Sequence, residues 1–163
     1  MIKMALILAG GKGKRLGINT NDKPKCLVEV GDKPILEYQL EALEKNSIKE
    51  ITIVTGYKHE KIKEFIQNSK FKNLKIKLVE NKEFDSTNSS YGFWLAKDEI
   101  KNGPYIHLNC DIIFLPRLIR KLIDSKYEDV IVLDKRIKLS DNMEQVHLEG
   151  DKITHMQNTL LKD

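Results

Sequence analysis

Apolar stretches of strand length alternate with longer stretches of helical periodicity along this 163-residue chain. That alternation predicts an α/β fold with a mostly parallel sheet and helices on both faces. Two further observations agree with it. The first apolar run leads straight into a glycine-rich turn, and Asp111 follows closely on a later one. Sheets of this class gather ligands beyond the carboxyl ends of their strands, where both features fall.

Taken in order, Lys3 to Ala9 reads as a buried strand and Cys26 to Val30 as a short extended piece. Pro34, suited to a first helical turn, opens a helix with Ile35, Leu36, Leu40 and Leu43 on one face. Glu50 to Thr55 is the next strand, stopped by Gly56, and Ile62, Phe65 and Ile66 mark another helix. Leu74, Ile76 and Leu78 alternate with Lys75 and Lys77, which predicts a strand with one wet face. Asn88 or Ser89 caps a helix carrying Tyr91, Phe93, Trp94 and Leu95, whose aromatic rings are expected in the core rather than as a stacking platform. Tyr105 to Asn109 forms the strand that delivers Asp111. A helix with Leu115, Leu118, Ile119, Leu122 and Ile123 inward follows, then a strand over Asp129 to Leu133. Met143 to Leu148 and Lys152 to Met156 make a hairpin around Gly150-Asp151.

Composition narrows the function. With 28 basic against 24 acidic residues the net charge is +4, and the lysines are scattered rather than blocked. That suits small anionic ligands better than nucleic acid, which calls for a basic stripe with interleaved aromatics. Cys26 and Cys110 lie in no Cys-x-x-Cys pair, which argues against a zinc site or a disulfide framework. The apolar run Met4 to Ala9 is too short for a membrane span or a signal core, so no membrane association and a cytoplasmic location are expected. One domain over residues 1–163 fits the length, and the oligomeric state is not legible.

The glycine-rich turn is Leu8-Ala9-Gly10-Gly11-Lys12-Gly13-Lys14-Arg15-Leu16, with Lys23-Pro24-Lys25 shortly after it. Glycines allow a tight turn whose N–H groups come close to a ligand, and Lys12, Lys14, Arg15 and Lys25 offer charge to phosphate oxygens. A P-loop is excluded because Gly13-Lys14 is followed by Arg15, and the position five before Gly13 is Leu8. A dinucleotide fingerprint fails because its third glycine would fall on Leu16. The turn therefore reads as a triphosphate cradle.

These residues resemble the nucleotidyltransferases that join a nucleoside triphosphate to a phosphorylated sugar, alcohol or amine. That family's signature is Leu-Ala-Gly-Gly-x-Gly-x-Arg-Leu followed by Lys-Pro-Lys, and both parts stand unbroken here. The resemblance continues through Val54-Thr55-Gly56-Tyr57, Glu80-Asn81, Thr87-Asn88-Ser89-Ser90-Tyr91 and Asn109-Cys110-Asp111, and weakens after Asp134. The Asn-rich segment is most similar to the small bacterial cytidylyltransferases related to the phosphocholine enzyme, including those serving capsule and lipopolysaccharide decoration. It implies a Rossmann-like, three-layer fold and CTP-dependent transfer to a small phosphorylated alcohol, amine or amide, with release of pyrophosphate.

The same resemblance implies roles. Backbone N–H groups of Gly10, Gly11 and Gly13 would cradle the β- and γ-phosphates, with Leu8 and Ala9 also part of the nucleotide site; Arg15 would neutralise the leaving pyrophosphate, and Lys25 would sit on the α-phosphate and the incoming phosphate. Gly56, Asn81 and Asn88 complete the expected nucleotide site. Asp111 is the expected ligand for magnesium (Mg2+), a hard ion that binds one or two carboxylates plus substrate phosphates; the alternative is a cap for the helix after it. Tyr57 either lines the pocket or closes the turn after Gly56. His59, His107, His147 and His155 share no ligand spacing. Cys110 is not expected as a nucleophile, since this transfer needs no covalent intermediate, and it stands where the family commonly has glycine.

At the carboxyl end the pattern departs from the family, which usually continues through acceptor-binding strands and a second metal-binding aspartate. It also tends to place a lysine where Gln157-Asn158 stands here. A carboxyl-terminal acceptor-binding part is therefore expected to be missing; the alternative is a compact variant that completes its site otherwise, for which Asp134, Glu144, Glu149 and Asp151 are unselected replacement carboxylates. Two other readings stay open: a sugar 1-phosphate nucleotidyltransferase using UTP, dTTP or GTP, and a nucleotide-binding module without turnover.

Overall fold

A computed structural model describes residues 2–13, 20, 22–134, 136–137 and 144–157. They fall into two compact units, Met1–Glu128 and Asp129–Asp163. The first is built on a four-stranded sheet of order β5-β4-β1-β6, from β1 (Met4–Ala9), β4 (Glu50–Thr55), β5 (Lys75–Glu80) and β6 (Tyr105–Asn109). Every pair in it is parallel, with Leu6 opposite Thr52 and His107, and Thr52 opposite Lys77.

Parallel strands in the middle of such a sheet are buried on both sides and read as near-continuous apolar runs, as β1 does; β4 is buried from Ile51 to Thr55 although Thr52 and Thr55 interrupt its apolar residues. The edge strand β5 alternates lysine with apolar residues, as its sequence predicts. Strand parity sorts the core. Ala5, Ile7, Ile51 and Ile53 join a cluster with Leu36, Leu40 and Leu43 of α1 (Ile35–Lys45), Ile62 of α2 (His59–Asn68) and Ile119 of α4 (Pro116–Ile123). Leu6 and Val54 join Ala96 of α3 (Ser89–Ile100). Helices thus cover both faces, giving the three-layer α/β fold.

Helix ends follow local chemistry. Pro34, extended at φ −69°, immediately precedes α1, and Asn88 caps α3 by accepting from the N–H groups of Ser90 and Tyr91. Between β1 and α1 lies a two-stranded ribbon of β2 (Glu29–Val30) and β3 (Lys33–Pro34).

Four expectations require correction. Cys26 to Val30 is not extended throughout. Lys25–Leu27 is a 3₁₀ turn, because the Pro24 and Lys25 carbonyls accept from Leu27 and Val28, and only Glu29–Val30 pairs as strand. Leu115 is 60 % exposed because it precedes α4 instead of lying in it, while Ile119 is the buried residue of that helix. Trp94 is 54 % exposed: it stacks on Tyr91 at 5.3 Å and lies under the Lys97 ammonium at 4.0 Å, while its neighbour Phe93 turns inward. Asp129 to Leu133 forms no strand among the described residues, since an apolar run needs a paired edge to become one.

In the second unit, β7 (Gln145–Glu149) and β8 (Lys152–Gln157) form the expected antiparallel hairpin. Gly150 takes the left-handed conformation, φ 63°, that its turn requires.

Candidate functional site

The carboxyl ends of β1, β4, β5 and β6 open into a cleft of about 490 Å³. One wall is the loop after β1. Gly10, Gly11 and Gly13 line it, and a β-carbon at Gly11 would meet none of the described residues within 4 Å. Gly13 is left-handed at φ 65°, and a β-carbon there would stand 3.2 Å from that of Lys25. Its conformation thus lets the aliphatic stem of Lys25 lie against the loop.

Lys25 reaches across to the opposite wall, where its ammonium is ion-paired and hydrogen-bonded to the Asp111 carboxylate. Both side chains keep access to solvent, 20 % and 34 % exposed respectively. Asp111 is not a helix cap: α4 is preceded by Leu115 with Pro116 at its first turn, and no side chain caps it. A second ion pair, Lys12 to Asp85, joins the glycine-rich loop to the segment after β5, with the Lys12 ammonium 5.6 Å from the Phe84 ring centre.

Gly56 sits behind the lining as a spacer. A β-carbon there would lie 2.6 Å from that of Phe84 and 2.7 Å from the Gly10 carbonyl oxygen. That oxygen accepts from the Tyr57 N–H at 3.0 Å, and the Tyr57 ring meets Phe84 edge-on at 6.2 Å. Tyr57 therefore closes the turn.

Asn81, 5 % exposed, organises the segment after β5. Its Nδ2 donates to Thr87 Oγ1 at 2.9 Å and its Oδ1 accepts from the Glu83 N–H at 2.9 Å. Thr87 in turn donates to the Glu83 carbonyl at 2.8 Å. Asn88, with Oδ1 committed to the cap of α3, also lines the cleft.

The structure thus brings Leu8, Gly10, Gly11, Gly13, Lys25, Asn81, Asn88 and Asp111 to one cleft. Ala9 and Gly56 are buried beside it and not in its lining, and Lys23 does not line it either. Arg15 lies outside the described residues.

Burial pushes the Cys110 thiol up to about 11, helped by the Asp111 charge, and pushes Cys26 up as well. Neither is a nucleophile at neutral pH. Burial also lowers the His107 imidazole, keeping it neutral against Phe93. No group of three or more His, Cys, Asp or Glu among the described residues could hold a metal ion by itself. One carboxylate with room for phosphates beside it suits magnesium, which completes its shell from phosphate and water oxygens. No helix among the described residues is long and apolar enough to cross a membrane.

Sequence reading missed Gln39. It is 1 % exposed on α1, and its Nε2 donates to the carbonyls of Asn109 at 2.8 Å and Ile112 at 2.9 Å. The signal was present: in the stripe Leu36, Gln39, Leu40, Leu43 a polar residue stands where helical spacing demands an apolar one.

The family model described as the MobA-like NTP transferase domain matches residues 5–145. The CTP:phosphoglutamine cytidylyltransferase of Campylobacter jejuni is 36 % identical over 136 residues, covering 80 % of this chain and 52 % of that protein. The D-glycero-alpha-D-manno-heptose 1-phosphate guanylyltransferase of the same organism is 39 % identical over 110 residues, covering 68 % and 48 %. The solved CTP:phosphocholine cytidylyltransferase of Streptococcus pneumoniae superposes with a TM-score of 0.59 at 33 % identity, covering 68 % of this chain and 46 % of that one. The chain spans about half the length of the curated relatives it matches.

Proposed function

The chain belongs to the MobA-like NTP transferase family, and from that membership we propose that it takes part in CTP-dependent cytidylyl transfer to a small phosphorylated alcohol, amine or amide. The observation that carries the proposal is the meeting of glycine-rich backbone, Lys25 and Asp111 in one cleft at the strand ends. Similarity to the phosphoglutamine and phosphocholine enzymes supports CTP as the donor.

The chemistry follows from charge. A phosphate monoester, with a second pKa of about 6, is already a dianion at neutral pH and needs no general base. Its oxygen attacks the α-phosphorus of CTP, a new P–O bond forms, the bond to the β-phosphate bridge breaks, and pyrophosphate leaves. The obstacle is repulsion between two polyanions, so the site must supply cations and aligned N–H groups that hold both in line. Backbone N–H groups of Gly10, Gly11 and Gly13 receive the β- and γ-phosphates. Arg15, from the same loop, neutralises the departing charge.

Asp111 would hold magnesium, and the ion would supply positive charge to phosphate oxygens there. Lys25, which faces the Asp111 carboxylate across the cleft, donates to oxygens of the α-phosphate and of the acceptor phosphate. Asn81 keeps the segment after β5 in place, and Asn88 offers its amide nitrogen to the nucleotide.

In a thermal-shift series at equal concentration with magnesium, CTP should raise the Tm above ATP, GTP, UTP and dTTP, because only a ligand of the folded state stabilises it. Pyrophosphate release is then followed with phosphorylated amides, amines and alcohols. Clear preference for GTP, UTP or dTTP would move the assignment to sugar 1-phosphates, a reading favoured by the similarity to the heptose 1-phosphate enzyme. Binding with no release for any acceptor would leave a nucleotide-binding module.

A further inference from the structure

We propose that Gln39 is a positioning residue for Asp111: its single amide clamps both sides of the turn that carries the carboxylate. The inference rests on the reading of Asp111 as the ligand-facing carboxylate of the cleft. Nε2 has two hydrogens, and they go to the carbonyls of Asn109 and Ile112, two residues before Asp111 and one after it. Both distances, 2.8 and 2.9 Å, are those of full hydrogen bonds.

Cys110 and Asp111 form a turn between strand and helix. β6 ends at Asn109 and α4 begins at Pro116. Among the described residues, no backbone-to-backbone bond outside strands and helices involves residues 110–114. Apart from the burial of Cys110, the turn is open to solvent, with Ile112 41 % and Ile113 43 % exposed.

The amide is also a poor choice for packing. Among the described residues Gln39 Oε1 is buried with no hydrogen-bond partner, a penalty that a leucine in the same stripe would not carry. A glutamine placed in an aliphatic helix face, with its donor end fully engaged and its acceptor end stranded, is explained by what the donor end holds. The device parallels the groups behind a metal ligand that fix its orientation. Here it spans the molecule from the middle of α1 to the sheet edge.

Gln39→Leu and Gln39→Met, the second keeping the length of the side chain, test this in the 163-residue chain. Backbone order parameters of the unliganded protein are expected to fall at residues 110–113 from about 0.85 to below about 0.6, while Ile51 to Val54 of β4 stay near 0.85. The magnesium concentration that half-saturates CTP binding is expected to rise ~10-fold or more, with CTP affinity at saturating magnesium changed far less.

An unchanged turn in a folded variant would overturn the proposal. So would uniform loosening that includes β4, failure of both variants to fold, or a loosened turn with unaltered magnesium dependence. If the wild-type protein binds no CTP with magnesium, the functional reading of the cleft fails. The order parameters then decide by themselves whether Gln39 holds Asp111.

Discussion

Gly56→Ala should separate two walls of the cleft that now touch through a missing side chain. The new β-carbon would stand 2.6 Å from Phe84 Cβ, 2.7 Å from the Gly10 carbonyl oxygen and 3.0 Å from Gly10 Cα. Ordinary contacts begin near 3.4 Å, so these atoms must retreat by about 0.4 to 0.8 Å, and none is the free end of a flexible side chain. The retreat pulls on the 3.0 Å bond from the Tyr57 N–H to the Gly10 carbonyl. Overpacking against backbone destabilises by about 2–3 kcal/mol. At ~2–4 °C per kcal/mol for a chain of this size, that is a drop of ~5–10 °C in Tm.

The assay is a urea titration beside a thermal melt, with Gly11→Ala as the counterpart. Position 11 has open space and no left-handed backbone, so its alanine variant should keep stability within ~0.5 kcal/mol while losing much of the CTP-induced Tm shift. A Gly56→Ala protein melting within 2 °C of wild type would refute the close-contact argument, to about that precision. A Gly11→Ala protein with its CTP shift intact would refute close approach of the triphosphate to that backbone.

Other substitutions probe the charges. Lys25→Ala should slow pyrophosphate release by ~100-fold, with little loss of Tm because Asp111 stays partly solvated when its partner is gone; near-normal turnover would remove Lys25 from the mechanism. Hydrogen bonds from Lys33 and then Lys70 hold the Glu41 carboxyl below its ordinary 4.5. Its contribution to stability is therefore full above that value and lost as pH falls through the lower folded-state one. The Tm difference between wild type and Glu41→Gln should be constant above about pH 5.5 and shrink below about pH 4; a difference that grows on acidification contradicts this. Because Cys26 and Cys110 are buried with raised thiols, a thiol reagent at pH 8 should label neither in the native protein and both after denaturation. Fast native labelling of Cys110 would show the turn before Asp111 to be open.

Much of this molecule was legible in its amino-acid order because the relevant signals are local. Apolar runs with strand or helix period gave the alternating elements and hence the parallel sheet, and Gly10 to Gly13, Lys25 and Asp111 stood out by residue type and place. Asn88 announced the start of α3 by the capping chemistry it performs.

What required the folded chain depends on residues far apart in sequence. Periodicity records that Val130, Ile131 and Val132 are apolar, not whether a strand edge is there to pair with, and they lie about half exposed. Helical spacing put Trp94 in the core, but which side of α3 meets the sheet was decided by Phe93 and Ala96 packing on Leu6 and Val54. Gly56 is needed because Phe84 and Gly10 converge on it, and Asn81 spends its amide on the loop it belongs to.

The pairing of Lys25 with Asp111 and the grip of Gln39 on residues 109 and 112 join segments about 70 or more positions apart. Such contacts exist only once the parallel crossovers have brought the strand ends side by side. Hydrogen bonds and ion pairs act over a few ångströms of space, and no local pattern along the chain encodes that distance.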